Sequence, residues 1–271
     1  MNILYCGDSG VEKGVLLSAM SLFENSDHAL NVYIVTASLE YGGKQHKAIS
    51  AAFADRLLKT AKKYNGKNNV SLFDISNIFS EYKPVANMST RFTPFCMLRL
   101  FCDLLPQMPE KILYLDTDVL CCADFSQFYD TDIENVHICG VPDRYGKWVF
   151  GGAPFRHDYL NSGVLLMNVG KMKNDEVFLR CRDMCRDKKM FMPDQTALNK
   201  TALKKRMPQK FNEQGNLKND TVFQHFSTKF VFFPVLHTRT VKPWEFDRVR
   251  EVLKINRYDG LFKKFLKETN Q

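Results

Sequence analysis

Short apolar runs and longer amphipathic stretches alternate along the chain. The apolar runs predict buried strands at residues 3–6, 32–35, 70–73, 111–115, 136–141 and 164–167. Apolar side chains at helical spacing predict helices at residues 11–23, 49–64, 95–105, 171–187 and 246–268, with a short helix after Pro193. Strands that alternate with helices in this way predict an α/β fold.

Two polar clusters directly follow predicted strands. Gly7-Asp8-Ser9-Gly10 comes after the first strand, and Asp116-Thr117-Asp118 comes after the strand at 111–115. Ligands of α/β proteins bind beyond the carboxyl ends of the strands, so both clusters are expected at the binding edge. The chain contains neither a G-x-G-x-x-G pattern nor a G-K-[S/T] sequence, which argues against a dinucleotide dehydrogenase and a P-loop enzyme.

The two aspartates of the second cluster point to a bound cation. Asp116 and Asp118 are one residue apart, and an extended backbone would place both carboxylates on the same side. Two neighbouring carboxylates repel unless a positive charge lies between them. Hard oxygen ligands suit Mg²⁺ or Mn²⁺. The other interpretation of the motif is a solvated acidic turn.

A histidine near the end of the chain is a candidate third ligand. His237 follows an apolar run and precedes Lys242-Pro243-Trp244. An imidazole beside carboxylates favours Mn²⁺ over Mg²⁺. Lys242 would then bind a phosphate, with Trp244 as an aromatic wall. The alternative interpretation of His237 is a histidine of the core.

Composition and charge narrow the class of protein. The 271 residues form one large or two small domains, and the eight cysteines include no C-x-x-C pair. The net charge is +8, of which residues 180–210 carry +7. Such a stretch is either a solvated helix face or a surface for phosphates or anionic lipid. We expect no nucleic-acid partner because no binding motif surrounds it.

These motifs, in this order, resemble the retaining glycosyltransferases of family 8, which include glycogenin and bacterial lipopolysaccharide galactosyl- and glucosyltransferases. The resemblance covers most of the chain and is carried by residues 3–10, Arg99, 113–118, 161–164, Asp194-Gln195, His237 and 242–244. It implies a single Rossmann-like GT-A domain at 1–244, with a mixed central sheet flanked by helices. A helical C-terminal extension at 245–271 would pack on the same domain.

The resemblance also implies an activity and a site. The chain would move a hexose from a UDP-sugar to a saccharide or glycolipid acceptor, with Mn²⁺, or alternatively Mg²⁺, as cofactor. The implied metal ligands are Asp116, Asp118 and His237. The implied donor-binding residues are Asp8, Ser9, Arg99, Thr117, Asp143 and Lys242. The implied residues around the reaction centre are Asn161, Asp194 and Gln195, of which the last two are candidate nucleophiles of a two-step route. A one-step route needs no nucleophile.

One departure from the family pattern leaves alternatives open. The family has His-x-x-Gly-x-x-Lys-Pro-Trp, whereas the stretch from His237 to Trp244 is one residue shorter and lacks the glycine. Arg239 is a candidate for a replacement phosphate contact. His225 is the alternative metal ligand, although no Lys-Pro-Trp follows it directly. The alternative function is a catalytically degenerate protein that binds a nucleotide sugar.

The sequence also carries expectations about location. No apolar run reaches the length of a membrane span, and the first residues do not form a secretory signal. We therefore expect a cytoplasmic chain. The basic stretch at 180–210 and the aromatic and basic residues at 258–265 predict peripheral contact with an anionic membrane surface.

Overall fold

The computed structural model describes residues 1–90, 93–146, 158–231 and 237–269. Its strands are β1 (Asn2–Gly7), β2 (Asn31–Thr36), β3 (Leu39–Tyr41), β4 (Lys44–His46), β5 (Asn69–Asp74), β6 (Lys111–Leu115), β7 (Val119–Cys121), β8 (Ile138–Pro142), β9 (Leu160–Asn168), β10 (Lys204–Arg206), β11 (Phe223–His225), β12 (Lys229–Val231) and β13 (His237–Arg239). Its α-helices are α1 (Glu12–Glu24), α2 (Ala51–Tyr64), α3 (Ser76–Glu81), α4 (Ser126–Tyr129), α5 (Val169–Asn174), α6 (Val177–Asp187), α7 (Pro193–Thr201), α8 (Phe246–Glu251) and α9 (Asp259–Thr269). Short 3₁₀ helices span Ser9–Val11, Val85–Asn87 and Gln209–Phe211, and a longer one spans Pro94–Leu104.

A seven-stranded mixed sheet organises the molecule, with strand order β10-β8-β9-β6-β1-β2-β5. β1 runs parallel to β2 and β6, so their carboxyl ends meet at one edge. β9 runs antiparallel to β6, which brings the first residues of β9 to that same edge. The sheet confirms the predicted α/β class and the predicted mixed central sheet.

The central strands read as continuous apolar runs because helices cover both faces of the sheet. Ile3 and Tyr5 of β1 belong to the apolar layer that contains α1, α2 and α9. Leu4 and Cys6 point the other way, into the layer that contains the long 3₁₀ helix. Successive side chains of a strand point to opposite faces of the sheet. Because an apolar layer covers each face, β1 carries apolar side chains on both.

α2 illustrates how the sequence specifies a helix. Ser50 caps its first turn, because the Ser50 hydroxyl oxygen accepts a hydrogen bond from the Phe53 N–H at 3.2 Å. Phe53, Leu57 and Ala61 follow at intervals of four residues and are all buried. The helix therefore buries one apolar stripe and exposes its charged side chains.

Two predicted helices are interrupted in the structure. The helix predicted at 171–187 is divided into α5 and α6 by Glu176, whose φ of 55° lies in the left-handed region. The helix predicted at 246–268 is divided into α8 and α9, with Lys254 at a φ of 58° between them. Helical spacing continues across both breaks, so the sequence pattern alone does not reveal them. The predicted domain boundary between 244 and 245 stays a prediction.

The basic stretch at 180–210 is only partly a surface feature. Arg182 of α6 is buried and donates to the Leu100 carbonyl oxygen at 2.6 Å. Its guanidinium also forms a two-pronged pair with the Asp103 carboxylate, at 2.5 and 2.9 Å. Arg182 thus links α6 to the long 3₁₀ helix.

Within the described part of the chain, no helix is both long and apolar enough to span a bilayer.

We predict that Arg182→Ala lowers the free energy of unfolding by about 3 kcal/mol, because it leaves the Asp103 carboxylate without its buried cation. Urea denaturation measures the change. Arg186→Ala is the matched control, since Arg186 lies one turn later on α6 and forms exposed ion pairs with Asp183 and Asp187. That control is expected to cost less than about 1 kcal/mol. Equal losses in the two variants would contradict a structural role for Arg182.

Candidate active site

The Asp116-Thr117-Asp118 segment forms a turn at the carboxyl end of β6. The Asp116 N–H donates to the Gly163 carbonyl oxygen at 2.8 Å, and the Val119 N–H donates back to the Asp116 carbonyl oxygen at 3.1 Å. The segment therefore forms a turn instead of the extended backbone that would place both carboxylates on one side by strand alternation. Asp116 is still hydrogen-bonded to β9, and the backbone leaves the sheet after it. The turn over residues 116–119 then brings the two aspartates together.

His225 completes a cluster with the two aspartates. β11 pairs antiparallel with β7 and sets His225 opposite Val119. The His225 Nε2 atom lies 3.3 Å from Asp118 Oδ1 and 3.8 Å from Asp116 Oδ2. One ligand atom from each of the three side chains lies within 4.8 Å of the others. Two carboxylates and one imidazole in this arrangement are a donor set suited to Mn²⁺ or a similar divalent ion.

Gly163 at the start of β9 makes room for this cluster. A β-carbon at this position would collide with the His225 ring and with the Asp116 carboxylate. The glycine is thus required by the close approach of two candidate ligands to the β9 backbone.

The predicted ligand His237 lies on β13, and its side chain is outside the described part of the structure. Its role as a ligand stays a prediction. β12 and β13 form a hairpin between His225 and Lys242, closed at its base by the 2.9 Å contact of the Thr228 and Thr240 hydroxyls. The hairpin therefore separates His225 from the Lys-Pro-Trp sequence along the chain, although Lys242 returns to the cluster in space.

Lys242 contacts the cluster directly. Its Nζ atom lies 2.5 Å from Asp118 Oδ2, and its backbone N–H donates to the Glu245 carboxylate at 2.6 Å. The following Trp244 packs near Gly14, where a β-carbon would lie 2.7 Å from the indole ring and 2.7 Å from the Thr117 carbonyl oxygen. The Lys-Pro-Trp segment is therefore fitted against α1 and the aspartate turn.

Arg99 connects the aspartate turn to the reaction-centre candidates. It is buried, and its guanidinium lies over the Tyr114 ring at 3.7 Å from the centroid. Nη2 donates to Asp116 Oδ1 at 3.0 Å, and Nε lies 3.4 Å from Asp194 Oδ2. Nη1 donates to the Ser162 carbonyl oxygen at 2.6 Å. One cation thus serves two carboxylates from different elements.

The other predicted polar residues form a buried network beside Arg99. The Asn161 and Gln195 amide nitrogens donate to Asp143 Oδ2 at 2.8 and 3.3 Å. The Ser162 N–H donates to the Gln195 amide oxygen at 2.9 Å. The Ser162 hydroxyl lies 3.3 Å from Asp194 Oδ2. β9, α7 and the residue that follows β8 hold these side chains together at the same sheet edge.

Asp8 and Ser9 lie at the end of β1, on the same edge. Asp8 Oδ1 accepts from the Gly10 N–H at 3.2 Å, and Oδ2 lies 3.0 Å from His46 Nδ1. The Ser9 N–H donates to the Lys47 carbonyl oxygen at 2.8 Å. The β3–β4 hairpin, which the sequence pattern did not predict, therefore packs beside the first polar cluster.

Asn212 is a site residue that sequence reasoning missed. It is fully buried, its amide nitrogen donates to Asn161 Oδ1 at 2.9 Å, and its amide oxygen lies 3.2 Å from His225 Nδ1. No motif surrounds it in the sequence, so only the three-dimensional contact with His225 reveals it.

The electrostatics of the cluster follow from the pairing of its charges. Burial by itself raises the pKa of Asp118, but Lys242 and His225 outweigh it and hold that pKa well below its usual range. Burial lowers the pKa of His225, and the Asp118 carboxylate more than reverses this, so the pKa is raised. The pKa of Lys242 is raised in the same way. The metal-free site therefore favours charged forms of all three groups.

Comparison with known sequences identifies the family to which the chain is similar. The Glycosyl transferase family 8 model matches residues 2–248. The probable glycosyl transferase Gly of Streptococcus gordonii is 28% identical over 166 residues, which cover 59% of this chain and 23% of that protein. The lipopolysaccharide 1,2-glucosyltransferase of Escherichia coli K12 is 25% identical over 262 residues, covering 90% and 72%. A putative glycosyltransferase of Haemophilus influenzae is 22% identical over 185 residues, which cover 66% of this chain and 51% of that protein. The chain therefore spans about a quarter of the Streptococcus gordonii relative and about half of the Haemophilus influenzae relative.

Solved structures share the fold. The galactosyltransferase LgtC, in complex with donor and acceptor sugar analogs, has a TM-score of 0.66 at 18% identity, over 97% of this chain and 96% of LgtC. The glycosyltransferase GlyE of Streptococcus pneumoniae TIGR4 has a TM-score of 0.62 at 15% identity, over 99% of this chain and 64% of GlyE. The mixed sheet and its flanking helices thus have the GT-A fold of these neighbours, as the sequence predicted.

We predict that the metal-free protein becomes less stable as the pH rises above about 6.5, the ordinary pKa of histidine. The folded form binds its His225 proton more tightly than the unfolded chain, so this stabilisation is complete below that pH. It is lost as the pH passes through the raised pKa of the folded state. Urea denaturation in EDTA measures the slope, which His225→Gln should remove. An unchanged slope in His225→Gln would contradict the assignment.

Proposed function

The chain belongs to glycosyl transferase family 8, and on this premise we propose that it transfers a hexose from a UDP-sugar to a saccharide or glycolipid acceptor. The observation that carries the proposal is the cluster of Asp116, Asp118 and His225, joined to Lys242 and Arg99 at the binding edge of the sheet. A divalent-cation donor set beside two fixed cations suits a diphosphate group. The polar network around Asn161 suits the hydroxyl groups of a sugar.

We propose Mn²⁺ as the metal, with Mg²⁺ as the alternative. Asp116, Asp118 and His225 would hold it, and the mixed oxygen and nitrogen donors support Mn²⁺. When bound, such an ion stabilises negative charge on the phosphate oxygens of a leaving group. We propose that His237, on the β12–β13 hairpin, supplies at most an additional contact to the metal.

Lys242 and Arg99 would share the charge of the leaving diphosphate. Lys242 is held by Asp118 and carries its ammonium at the cluster. Arg99 is fixed by Tyr114, Asp116, Ser162 and Asp194 and by the Cys96 carbonyl oxygen, so it would change little in position during the reaction. Preorganised cations of this kind stabilise developing charge without a cost of reorientation.

The network formed by side chains of β9 and α7 and by Asp143, which follows β8, would bind the transferred sugar. Asn161, Asp143, Asp194 and Gln195 present hydrogen-bonding groups from one sheet edge. An active-site glutamine of LgtC, which has been replaced by glutamate in a solved mutant structure, supports a comparable role for Gln195. The Gln195 amide oxygen already accepts from the Ser162 N–H and lies 3.2 Å from the Ser162 hydroxyl.

The Gln195 amide oxygen is already engaged by the Ser162 N–H and hydroxyl, whereas a nucleophile needs a free oxygen. This supports Asp194 over Gln195 as the nucleophile of a two-step retaining route. Arg99 Nε lies 3.4 Å from Asp194 Oδ2, and this contact would orient the Asp194 carboxylate. The one-step retaining route remains the alternative, in which the same side chains would only bind and orient the sugar.

The remaining donor contacts are proposed from the position of three residues in the sheet, and the acceptor is proposed from the similarity to a curated relative. Asp8, Ser9 and Thr117 lie on the carboxyl-end edge and are proposed to contact the nucleotide. The similarity to a lipopolysaccharide glucosyltransferase supports a saccharide or glycolipid acceptor. A cytoplasmic location and peripheral membrane contact are also proposed. Exposed Lys188 and Lys189, close in sequence to the half-exposed Phe191, support the membrane contact, which binding to anionic liposomes would test.

The alternative of a degenerate nucleotide-sugar binder rested on the short interval between His237 and Lys242. The cluster of His225 with the two aspartates does not depend on the distance in sequence between His237 and Lys242. The short interval therefore no longer supports a degenerate binder. Release of free hexose from a UDP-sugar in the presence of Mn²⁺ separates a transferase from a binder, because transferases often pass the donor sugar to water.

We predict that Asp118→Asn reduces Mn²⁺-dependent hydrolysis of UDP-hexose by about 10²–10³-fold, because the variant loses a ligand and the partner of Lys242. Hexose release measures the rate for UDP-glucose and UDP-galactose. Asp220→Asn, at an exposed acid outside the cluster, should keep the full rate. Normal hydrolysis by folded Asp118→Asn would overturn the proposed metal-dependent mechanism, and absence of hydrolysis by the unchanged protein would favour the binder.

A further inference from the structure

Asn212 occupies a central position between the two halves of the site. It follows the 3₁₀ helix Gln209–Phe211 and is fixed by its backbone N–H, which donates to the Gln209 carbonyl oxygen at 2.9 Å. Its side chain is 0% exposed. On one side the amide meets Asn161 of the proposed sugar network, and on the other it meets His225 of the proposed metal cluster.

The direction of each hydrogen bond that links Asn161, Asn212 and His225 can be deduced from one backbone group. The Gly163 N–H can only donate, and it lies 3.0 Å from the Asn161 side-chain oxygen. The Asn161 amide nitrogen therefore faces Asp143 Oδ2, which accepts from it at 2.8 Å. Because the same Asn161 oxygen lies 2.9 Å from Asn212, the Asn212 group that faces it must be the NH₂.

The orientation of Asn212 then determines that of His225. With its NH₂ turned to Asn161, Asn212 presents its oxygen to His225 Nδ1 at 3.2 Å. An oxygen acceptor requires that Nδ1 carry a hydrogen. The other ring nitrogen, Nε2, faces the Asp116 and Asp118 carboxylates and is the one left to bind a cation.

We propose that Asn212 is a positioning residue that holds His225 with Nδ1–H toward the Asn212 amide oxygen and Nε2 toward the metal, and that couples this ligand to the sugar-binding Asn161. The proposal rests on the proposed function, because it assigns roles within that site. Metal-bound histidines commonly donate their second ring N–H to a fixed oxygen, and removal of that oxygen weakens metal affinity about 10–100-fold. Here one amide would serve both the metal and the sugar side.

Two substitutions separate the two connections. Asn212→Leu keeps a side chain branched at Cγ but leaves both His225 Nδ1–H and the Asn161 oxygen without a partner. Asn212→Asp keeps an acceptor for Nδ1–H, and a carboxylate accepts that bond more strongly than an amide. It cannot donate to Asn161, however, and instead sets oxygen against oxygen there. Asn161 must then turn away from Gly163 or Asp143.

The experiment measures Mn²⁺ affinity by electron paramagnetic resonance of the free ion, together with UDP and UDP-hexose affinities by calorimetry. For Asn212→Leu we expect Mn²⁺ to bind about 10–100-fold more weakly. For Asn212→Asp we expect Mn²⁺ affinity to be kept, while the preference for UDP-hexose over UDP falls. Neither readout depends on turnover.

Asn87→Leu is the matched control. Asn87 is also 0% exposed, and its amide donates to the Cys185 and Lys188 carbonyl oxygens, remote from the cluster. It should lower the melting temperature and leave Mn²⁺ affinity unchanged. Equal Mn²⁺ affinity in Asn212→Leu and the unchanged protein would overturn this proposal alone. An unchanged preference of Asn212→Asp for UDP-hexose over UDP would also overturn this proposal. This second test can be made even if the leucine variant does not fold. Failure of the unchanged protein to bind Mn²⁺ would overturn the proposed metal site itself.

Discussion

The mutual repulsion of acidic side chains at one sheet edge is the constraint on which the site depends. Asp116 and Asp118 leave β6 in a tight turn, and Asp194 approaches the same place from α7. Each carboxylate has a positively charged partner: Arg99 serves Asp116 and Asp194, and Lys242 serves Asp118. Without these cations the turn would place uncompensated charges side by side in a partly buried position, which costs several kcal/mol.

This compensation explains why widely separated parts of the sequence converge. Arg99 comes from the long 3₁₀ helix, His225 from the two-stranded pairing of β11 with β7, and Lys242 from the segment after the β12–β13 hairpin. Each of them is brought to the edge by a backbone element that is itself packed on the sheet. A cation in the middle of the cluster would replace the proton and the ammonium contacts that now neutralise Asp118, so metal binding and the charge state of His225 are linked.

The sequence predicted the main elements because their local signals are strong. β1 and β6 are continuous apolar runs that end in polar clusters, and the α2 pattern begins with a serine cap. Breaks at Glu176 and Lys254 were not predictable, since both residues adopt a left-handed backbone without the glycine that usually signals it. The β3–β4 hairpin and β11 were missed for a related reason: three-residue strands carry too little periodicity.

The sequence by itself determined the α/β class, the carboxyl-end placement of the two polar clusters and the family resemblance, because each depends on local order along the chain. Only the tertiary structure decided which groups meet. His225 lies far from the Lys-Pro-Trp segment in sequence, yet strand pairing brings it to the aspartates, whereas proximity in sequence favoured His237. Asn212 has no local signal at all. Its position follows from hydrogen bonds whose partners are 13 and 51 residues away, and such contacts exist only in the folded chain.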